Sequence, residues 1–457
     1  MQIKEDVATP ILSRRSLYVI AAAVAAVFGL YLFDLTGMGL VSTDEPRYAA
    51  IGQAMAQSGD WISPRLWGQP WFEKPALLYW MTASAFKAGL GPDLAPRLPV
   101  ALLSVAFLAF FWWRLKIEWD DRVAAYSTAL LTTSAGWLAY SHVSITDLPL
   151  AAFFTAALLL SFRRDLTAAA ACLALAALAK GLVPLVLFLP ALPFCWRRIR
   201  VMPVLVFLVI ALPWYILCSL RNPDFLHVFF VEHTFGRFSS DAMQHVQPWW
   251  FYFPVALLLL FPWFPLLAFI RISGWKEPRI QTLAGVAIFG FLFFYAALNK
   301  LPGYLLPLLP AACVLIGYGM AHSPRSRFAM AAPLALLGAL PAVSAVLPGA
   351  LGHGLRSTGI PWLELGLGVV LGLAAGLAGR FTLGVGAAIA AFAFIWFQIS
   401  SFPAIDRTAS ARPLWSESHP RCVSNLPRSL VYGLNYYAGR ALPDCSVLDP
   451  NGTRVVR

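Results

Sequence analysis

Six short clusters of ionisable and aromatic residues interrupt the long apolar stretches of this sequence. A carboxylate in such a cluster can accept the proton of an attacking hydroxyl, while cations can neutralise a departing phosphate. Aromatic side chains can supply platforms for sugar faces. These groups together suit a substrate that is anionic, sugar-bearing and linked to a lipid. The clusters are Thr43–Tyr48, Trp71–Pro75, Ser144–Leu150, Lys180–Gly181, Glu232–Phe238 with His245–Tyr252, and Asn299–Tyr304.

Most of these clusters also have a purely structural interpretation. Asp44 could cap a helix that has Pro46 in its first turn. Glu73 and Lys74 could form an ion pair at the membrane surface, and a histidine near aromatic side chains is usually structural. Asp147 is harder to explain in this way, because an isolated carboxylate at the end of apolar spans is costly unless it has a partner or a function.

The elements that must position these clusters are membrane-spanning helices. Of the 457 residues, 59% are hydrophobic and only 12% are charged, about half the charged share of a soluble domain. Apolar runs long enough to cross a bilayer recur along the chain, which predicts an all-α polytopic membrane protein. We count about thirteen such runs, at 16–36, 94–113, 123–142, 147–162, 166–180, 182–196, 201–219, 249–270, 280–298, 304–321, 327–347, 361–379 and 382–401.

The basic residues predict how these helices are oriented. If the first helix runs outward, every inside segment is basic and almost free of acid, as the positive-inside rule requires. All six clusters then fall on the outer face, whereas unrelated surface features would be spread over both faces. The net charge of +12 is explained by this topology and by contact with membrane lipids, so we expect no nucleic-acid partner.

The predicted transmembrane domain covers residues 1–401 and includes two long outer segments, 37–93 and 220–248. The first is too long for a simple connection and contains two helical patterns, 45–57 and 75–88, which we expect to lie in the membrane interface. Residues 402–457 are predicted to form a small polar outer segment. Its Cys422 and Cys445 would face an oxidising compartment, so a disulfide between them is one possibility and free thiols are the other.

Taken in order, these motifs resemble those of the class C membrane glycosyltransferases. The resemblance is to the branch that holds the lipid A aminoarabinose transferases and the related protein O-mannosyltransferases, and it covers about residues 16–320. The matching pieces are D-E-x-R-Y at Asp44–Tyr48, G-D-W at Gly59–Trp61, F-E-K-P at Phe72–Pro75, T-D-x-P around Asp147, the Lys180–Gly181 pair, E-H-x(3)-R-F from Glu232, H-x-x-P-x-W from His245, and K-L-P-x-Y from Lys300.

The resemblance implies a bundle of about thirteen transmembrane helices with interfacial helices in the first outer loop. It also implies transfer of a sugar from a polyprenyl-phosphate donor, most simply undecaprenyl phosphate, with inversion at the anomeric carbon. Asp44 and Asp147 look like the catalytic carboxylates, and the motifs do not decide which of them takes the proton. Positions that look like donor-phosphate or carrier contacts are Arg47, Tyr48, Glu73, Lys74, Lys180, His233, Arg237, Lys300 and Tyr304. Candidates for the substrate pocket are Glu45, Tyr79, His245 and Trp249.

We expect no required cofactor, because a monophosphate leaving group carries little charge and the site has its own cations. Glu73 with a nearby histidine could still hold a divalent ion. The acceptor stays open between lipid A or another lipopolysaccharide, another outer glycan, and protein, because the C-terminal part does not match the lipid A enzymes. The expected location is the bacterial inner membrane, with the active site facing the periplasm.

Two other classes of function compete with a transferase. A transporter or flippase for a lipid-linked sugar would place ionisable residues and broken helices in the middle of its spans, whereas these charges crowd one face. A non-catalytic membrane scaffold would give Asp44 and Asp147 no special role, so their substitution would leave function intact.

Overall fold

The computed structural model describes residues 14–235, 247–270, 275–323, 328–354, 358–379 and 381–448. The described chain is predominantly helical, with one two-stranded antiparallel hairpin in the first outer segment. The hairpin strands are β1 Arg65–Leu66 and β2 Gln69–Pro70. The predicted all-α fold class is therefore confirmed, because the hairpin is too short to change it.

Eleven α-helices lie in the described stretch from residue 14 to residue 221. They are α1 Arg14–Tyr31, α2 Asp44–Ser58, α3 Leu77–Lys87, α4 Leu94–Glu118, α5 Asp121–Thr132, α6 Ala135–Ser141, α7 Asp147–Leu160, α8 Thr167–Lys180, α9 Val183–Phe188, α10 Leu192–Cys195 and α11 Val201–Arg221. A π-helical segment, His227–Phe235, follows them.

The second half adds further α-helices and short 3₁₀ segments. The α-helices are α12 Tyr252–Leu259, α13 Pro278–Ala296, α14 Leu309–Ala321, α15 Ala331–Gly338, α16 Leu340–His353, α17 Trp362–Ala378, α18 Leu383–Ala409, α19 Arg412–Ser418, α20 Arg428–Ala438 and α21 Cys445–Leu448. The 3₁₀ segments are Leu189–Ala191, Trp196–Arg198, Trp249–Phe251, Phe264–Phe269 and Pro302–Leu308.

The chain is a multi-pass membrane protein. Within the described residues, five helices are long and apolar enough to cross a bilayer, or six if the bent pair α15 and α16 is one span. Shorter apolar helices, including α7 and α8, lie between these spans. Helices occupy every predicted apolar run, but several runs are divided; 123–142, for example, becomes α5 and α6. The count of thirteen spans therefore stays a prediction.

Three helices position the outer clusters directly. Helix α2 begins at Asp44 and ends at Gly59, whose left-handed backbone (φ 75°) lets its N–H donate to the Met55 carbonyl oxygen. Helix α8 ends at Gly181, which also has positive φ, so Lys180 is the last helical residue. Helix α7 is almost wholly buried at the centre of the bundle, and it fixes the depth of Asp147 at its first position.

The C-terminal segment is folded against the first outer segment. Cys422 and Cys445 form a disulfide with a Cα–Cα distance of 4.9 Å, which answers the question that the sequence left open. The Tyr437 hydroxyl donates to Asp93 (2.7 Å), and the guanidinium of Arg412 bridges Asp93 (3.2 Å) and Asp406 (2.8 Å). These contacts hold α20 beside α2, so the C-terminal segment becomes part of the wall around the outer clusters.

Candidate active site

A chain of alternating charges links the first two clusters. The Arg47 guanidinium contacts the Asp44 carboxylate one turn before it on α2 and the Glu73 carboxylate at 3.1 Å. The other Glu73 oxygen accepts from Lys74 Nζ at 2.9 Å. The side chains of Arg47, Glu73 and Lys74 are buried, whereas the Asp44 side chain is 34% exposed. Asp44 does not serve as the helix cap considered above, since Thr43 occupies that position and α2 begins at Asp44 itself.

Aromatic rings enclose the Arg47 guanidinium. Its centre lies 5.4 Å from the Trp71 ring, 5.3 Å from the Tyr432 ring and 5.9 Å from the Tyr48 ring. Although burial opposes the charge, the Glu73 and Asp44 carboxylates raise the pKa of Arg47 above its usual value. Arg47 is therefore a permanent cation held in a fixed orientation.

Tyr48 and Tyr79 lie beside this network with their rings 5.9 Å apart. Burial, followed by the nearby carboxylates, raises the pKa of both phenols well above the usual value, so both stay protonated. Within the described part of the chain, the Tyr79 hydroxyl has no hydrogen-bond partner. It is thus a neutral, fully buried donor beside the charged network, and its role as a pocket residue stays a prediction.

Glu45 has a different position from the one the sequence suggested. It is completely buried, and its carboxylate forms a two-point ion pair with Arg97 of α4 at 2.7 and 2.8 Å. It also accepts the backbone N–H groups of Val41 (2.8 Å) and Ser144 (2.9 Å). Both oxygens of the Glu45 carboxylate are engaged in these contacts, so neither can bind a ligand. We therefore assign Glu45 to positioning the site rather than to lining the pocket.

The bond from Ser144 to Glu45 brings the two candidate catalytic carboxylates into one region. Asp44 is the first residue of α2, and Asp147 is the first residue of α7, three residues after Ser144. Each carboxylate therefore stands at the positive end of its helix. Tyr140 lies beside Asp147, since both side chains pack on Gly303.

Asp147 forms the centre of a second group of contacts. Its carboxylate pairs with Lys180 Nζ at 2.6 Å, and that ammonium lies 4.7 Å from the centre of the Tyr304 ring. Gly303 packs directly on Asp147 and Tyr140, leaving no space for a side chain. Lys300, also buried, donates to the Ala297 carbonyl oxygen at 2.6 Å. The K-L-P-x-Y cluster therefore forms the far wall of the site.

Replacing Gly303 by alanine should reduce the activity of this site on the order of 10²-fold, because the new methyl group would displace the Asp147 carboxylate from Lys180. Steady-state turnover with purified protein would measure the change. Gly285→Ala is the matched control, since its methyl group would meet only Pro190 at an ordinary 3.7 Å. Equal turnover in the two variants would show that the position of Asp147 is not critical.

The charges of the site are unbalanced in favour of cations. Four described cations, Arg47, Lys74, Lys180 and Lys300, accompany three carboxylates, Asp44, Glu73 and Asp147. An anionic group with one or two negative charges would find cations already oriented around it. Within the described ranges, no group of three His, Cys, Asp or Glu side chains could hold a metal ion.

Several candidate residues cannot be placed in this site. Arg237 and His245 lie outside the described residues, and His233 lies in the π-helical segment without a described side chain. Trp249, predicted as a pocket residue, is 66% exposed in a 3₁₀ segment. This exposure fits an aromatic anchor at the membrane surface better than a pocket wall.

Three further residues of the site were not anticipated from the sequence. Arg97 lies in an apolar run, where an isolated arginine should have signalled a buried carboxylate partner. Tyr140 ends another apolar run and carried no motif. Tyr432 belongs to the C-terminal segment, whose contact with the first outer segment is a purely tertiary feature.

Comparison with known proteins agrees with this architecture. No family model matches the sequence. It is 32% identical over 338 residues to the undecaprenyl phosphate-alpha-4-amino-4-deoxy-L-arabinose arabinosyl transferase of Photorhabdus laumondii, covering 68% of this chain and 61% of that protein. A second such transferase, from Pseudomonas fluorescens, is 35% identical over 318 residues, covering 64% and 54% respectively. The chain thus spans less than two thirds of the length of these relatives.

The solved structures show the fold. ArnT from Cupriavidus metallidurans, bound to undecaprenyl phosphate, superposes with a TM-score of 0.74 at 23% identity, over 95% of this chain and 92% of that one. The chain therefore has the fold of that protein. The arabinosyltransferase EmbB of Mycobacterium smegmatis is more distant, with a TM-score of 0.51 at 12% identity over 96% of this chain and 44% of that one. The resemblance inferred from the short motifs is confirmed.

Proposed function

We propose that this class C protein transfers a monosaccharide from a polyprenyl phosphate, with undecaprenyl phosphate as the carrier, to an acceptor outside the cytoplasm. The observation that carries the proposal is the buried network of Asp44, Arg47, Glu73 and Lys74 beside the Asp147–Lys180 pair. It combines ionised carboxylates with an excess of cations. The relatives named as undecaprenyl phosphate-dependent arabinosyl transferases support the same donor class.

In this proposal Asp44 is the catalytic base. Its side chain is 34% exposed, against 12% for Asp147, so an acceptor hydroxyl can approach it more easily. The carboxylate takes the hydroxyl proton while the acceptor oxygen forms a bond to the anomeric carbon. The bond from that carbon to the phosphate oxygen breaks, and its electron pair leaves with the phosphate. Attack opposite the leaving group inverts the configuration.

The cations bind the donor phosphate and stabilise it as it departs. Glu73 holds Lys74 in the site, and Asp147 holds Lys180 there. Each ammonium group can therefore turn toward a bound phosphate while it stays in the site. We include no metal in the proposal, because these ammonium groups together with Arg47 supply the charge that a monophosphate needs. One Glu73 oxygen accepts from Arg47 and the other accepts from Lys74. In this proposal Glu73 therefore positions Lys74 and does not bind a metal.

Lys74→Ala should raise the KM for the donor about ten- to hundredfold, because it removes a charge-assisted hydrogen bond to the phosphate. Its effect on kcat should be smaller than that of any change at Asp44. Lys87→Ala, which removes an exposed lysine at the end of α3, is the matched control and should leave both constants unchanged. A donor KM unaltered by Lys74→Ala would remove this lysine from the donor site.

The acceptor that we favour is lipid A or a related lipopolysaccharide, in the bacterial inner membrane with the site facing the periplasm. The names of the relatives and the position of the clusters beyond the outer end of α1 support this assignment. A protein acceptor is the alternative within the transferase class.

The deciding experiment incubates the purified protein in proteoliposomes with undecaprenyl-phosphate-linked sugars and each acceptor class, and identifies products by mass spectrometry. We expect a product with one added sugar and release of undecaprenyl phosphate. Movement of the donor across the bilayer without any product would instead support a flippase. Neither product nor movement, with donors bound, would support a scaffold.

A further inference from the structure

The turn of the outer hairpin has an unusual residue in a strained position. Trp67 and Gly68 connect β1 to β2, and both have positive φ, 49° and 86°. A two-residue turn with positive φ at both positions favours Asn-Gly or Asp-Gly, because Asn and Asp tolerate the left-handed region. A bulky tryptophan there carries a backbone cost that asparagine or glycine would avoid. Such outliers persist where the side chain has a task.

A polar groove lies on both sides of this turn. One cavity of about 390 Å³ is lined by α2 residues together with Asp60, Arg65 and Gly68. A second of about 290 Å³ is lined by α2, Trp67 and the end of α20 with Arg440. The two cavities share Ala54, Gln57 and Gly68, so they adjoin each other along α2 and are treated together as the groove. Their volumes lie near the lower end of the range for small-ligand sites.

The groove is connected to the catalytic network through aromatic contacts. The Trp67 ring lies 5.6 Å from the Tyr432 ring, and Tyr432 in turn covers Arg47 at 5.3 Å. Among the residues that the structure describes, no acceptor is within hydrogen-bond distance of the Trp67 indole N–H, although this atom is buried. The partly exposed indole ring therefore lies between the groove and the ring that covers Arg47, and its N–H is left without a protein acceptor.

We propose that this groove binds the saccharide part of the acceptor, with Trp67 as its platform. This proposal rests on the proposed function and deepens it by assigning the acceptor class. An indole face packs against the apolar face of a sugar ring, while the amides of Gln53 and Gln57 can donate to and accept from its hydroxyls. The charged residues that line the groove are Arg65, Arg440 and Asp60, which gives its lining a net charge of +1. This charge favours an acidic saccharide over a neutral one.

The test uses Trp67→Asn, because asparagine suits the left-handed turn and should leave the hairpin folded. We expect the KM for the acceptor to rise about tenfold, with the donor KM and kcat unchanged. Trp67→Phe should recover most of the loss, and Gln57→Ala should show a smaller rise. Trp362→Asn, which removes a tryptophan that is 70% exposed, is the matched control.

Two forms of one probe separate the possible sources of the saccharide. Lipid A and its fully deacylated headgroup are compared as acceptors, and binding of the headgroup is also followed by calorimetry without any donor. Headgroup binding that weakens in Trp67→Asn supports the groove proposal, even if no transfer is detected. The absence of transfer would count against the proposed function instead. Unchanged binding and acceptor KM in both Trp67→Asn and Gln57→Ala would overturn the groove proposal, as would a loss confined to the donor KM.

Discussion

Asp44→Asn should reduce sugar transfer by about 10²–10⁴-fold, the range expected when a general base is removed. The amide keeps the size of the side chain but cannot accept the acceptor proton. Donor binding should be largely retained, because Lys74 and Lys180 keep their own carboxylate partners, Glu73 and Asp147. Transfer rates with saturating donor, together with equilibrium binding of the donor, would separate the two effects.

Asp121→Asn is the matched control for this substitution. Asp121 also stands in the first turn of its helix, but its side chain is 74% exposed and pairs with the surface residue Lys116. Its turnover should equal that of the unmodified protein. If Asp44→Asn kept full turnover while Asp147→Asn lost it, the assignment of the base would pass to Asp147.

Arg97→Met should have the largest effect on stability, lowering the free energy of unfolding by about 3–5 kcal/mol. The substitution leaves the fully buried Glu45 carboxylate without its cation. It also removes the donors to the carbonyl oxygens of Leu35 and Gly39. Because Glu45 ties α2 to the turn before α7, the alignment of Asp44 with Asp147 should be lost with it. Thermal unfolding in detergent would measure the first effect, and transfer the second.

The same Asp121→Asn variant gives the comparison for stability. It breaks an ion pair whose members are 48% and 74% exposed, and such pairs contribute little. An unfolding temperature for Arg97→Met equal to that of Asp121→Asn would mean that the Glu45–Arg97 pair does not hold the site together.

The positions of the helices could be predicted well, because hydrophobic segments must satisfy their backbone groups internally and therefore form helices. Helices α2 and α3 of the first outer segment begin and end within about two residues of the predicted 45–57 and 75–88. The division of long runs was less predictable. The run 304–321, for example, starts as a 3₁₀ segment, since Pro307 and Pro310 disrupt regular hydrogen bonding.

The residues of the charged cluster were named from the sequence, whereas most of their pairings were not, and their roles stay predictions. Asp44, Glu73, Lys74, Asp147 and Lys180 were recognised as ionisable residues on one membrane face. Glu45 positions the site from a buried ion pair and does not line the pocket. The motif could not show this, because in the sequence Glu45 is simply the neighbour of Asp44. The distinction depends on Arg97, which lies 52 residues away on another helix.

The sequence by itself determined that this is a membrane protein and predicted its ionisable clusters on one face, because the cost of exposing charge to lipid and the positive-inside rule act locally along the chain. Only the tertiary structure decided which charges meet and which rings cover them. The Ser144 N–H meets Glu45 across 99 residues, and Tyr432 reaches Arg47 from the C-terminal segment. Such contacts depend on helix packing and on the tethering of α20 to the first outer segment, and no local pattern encodes either.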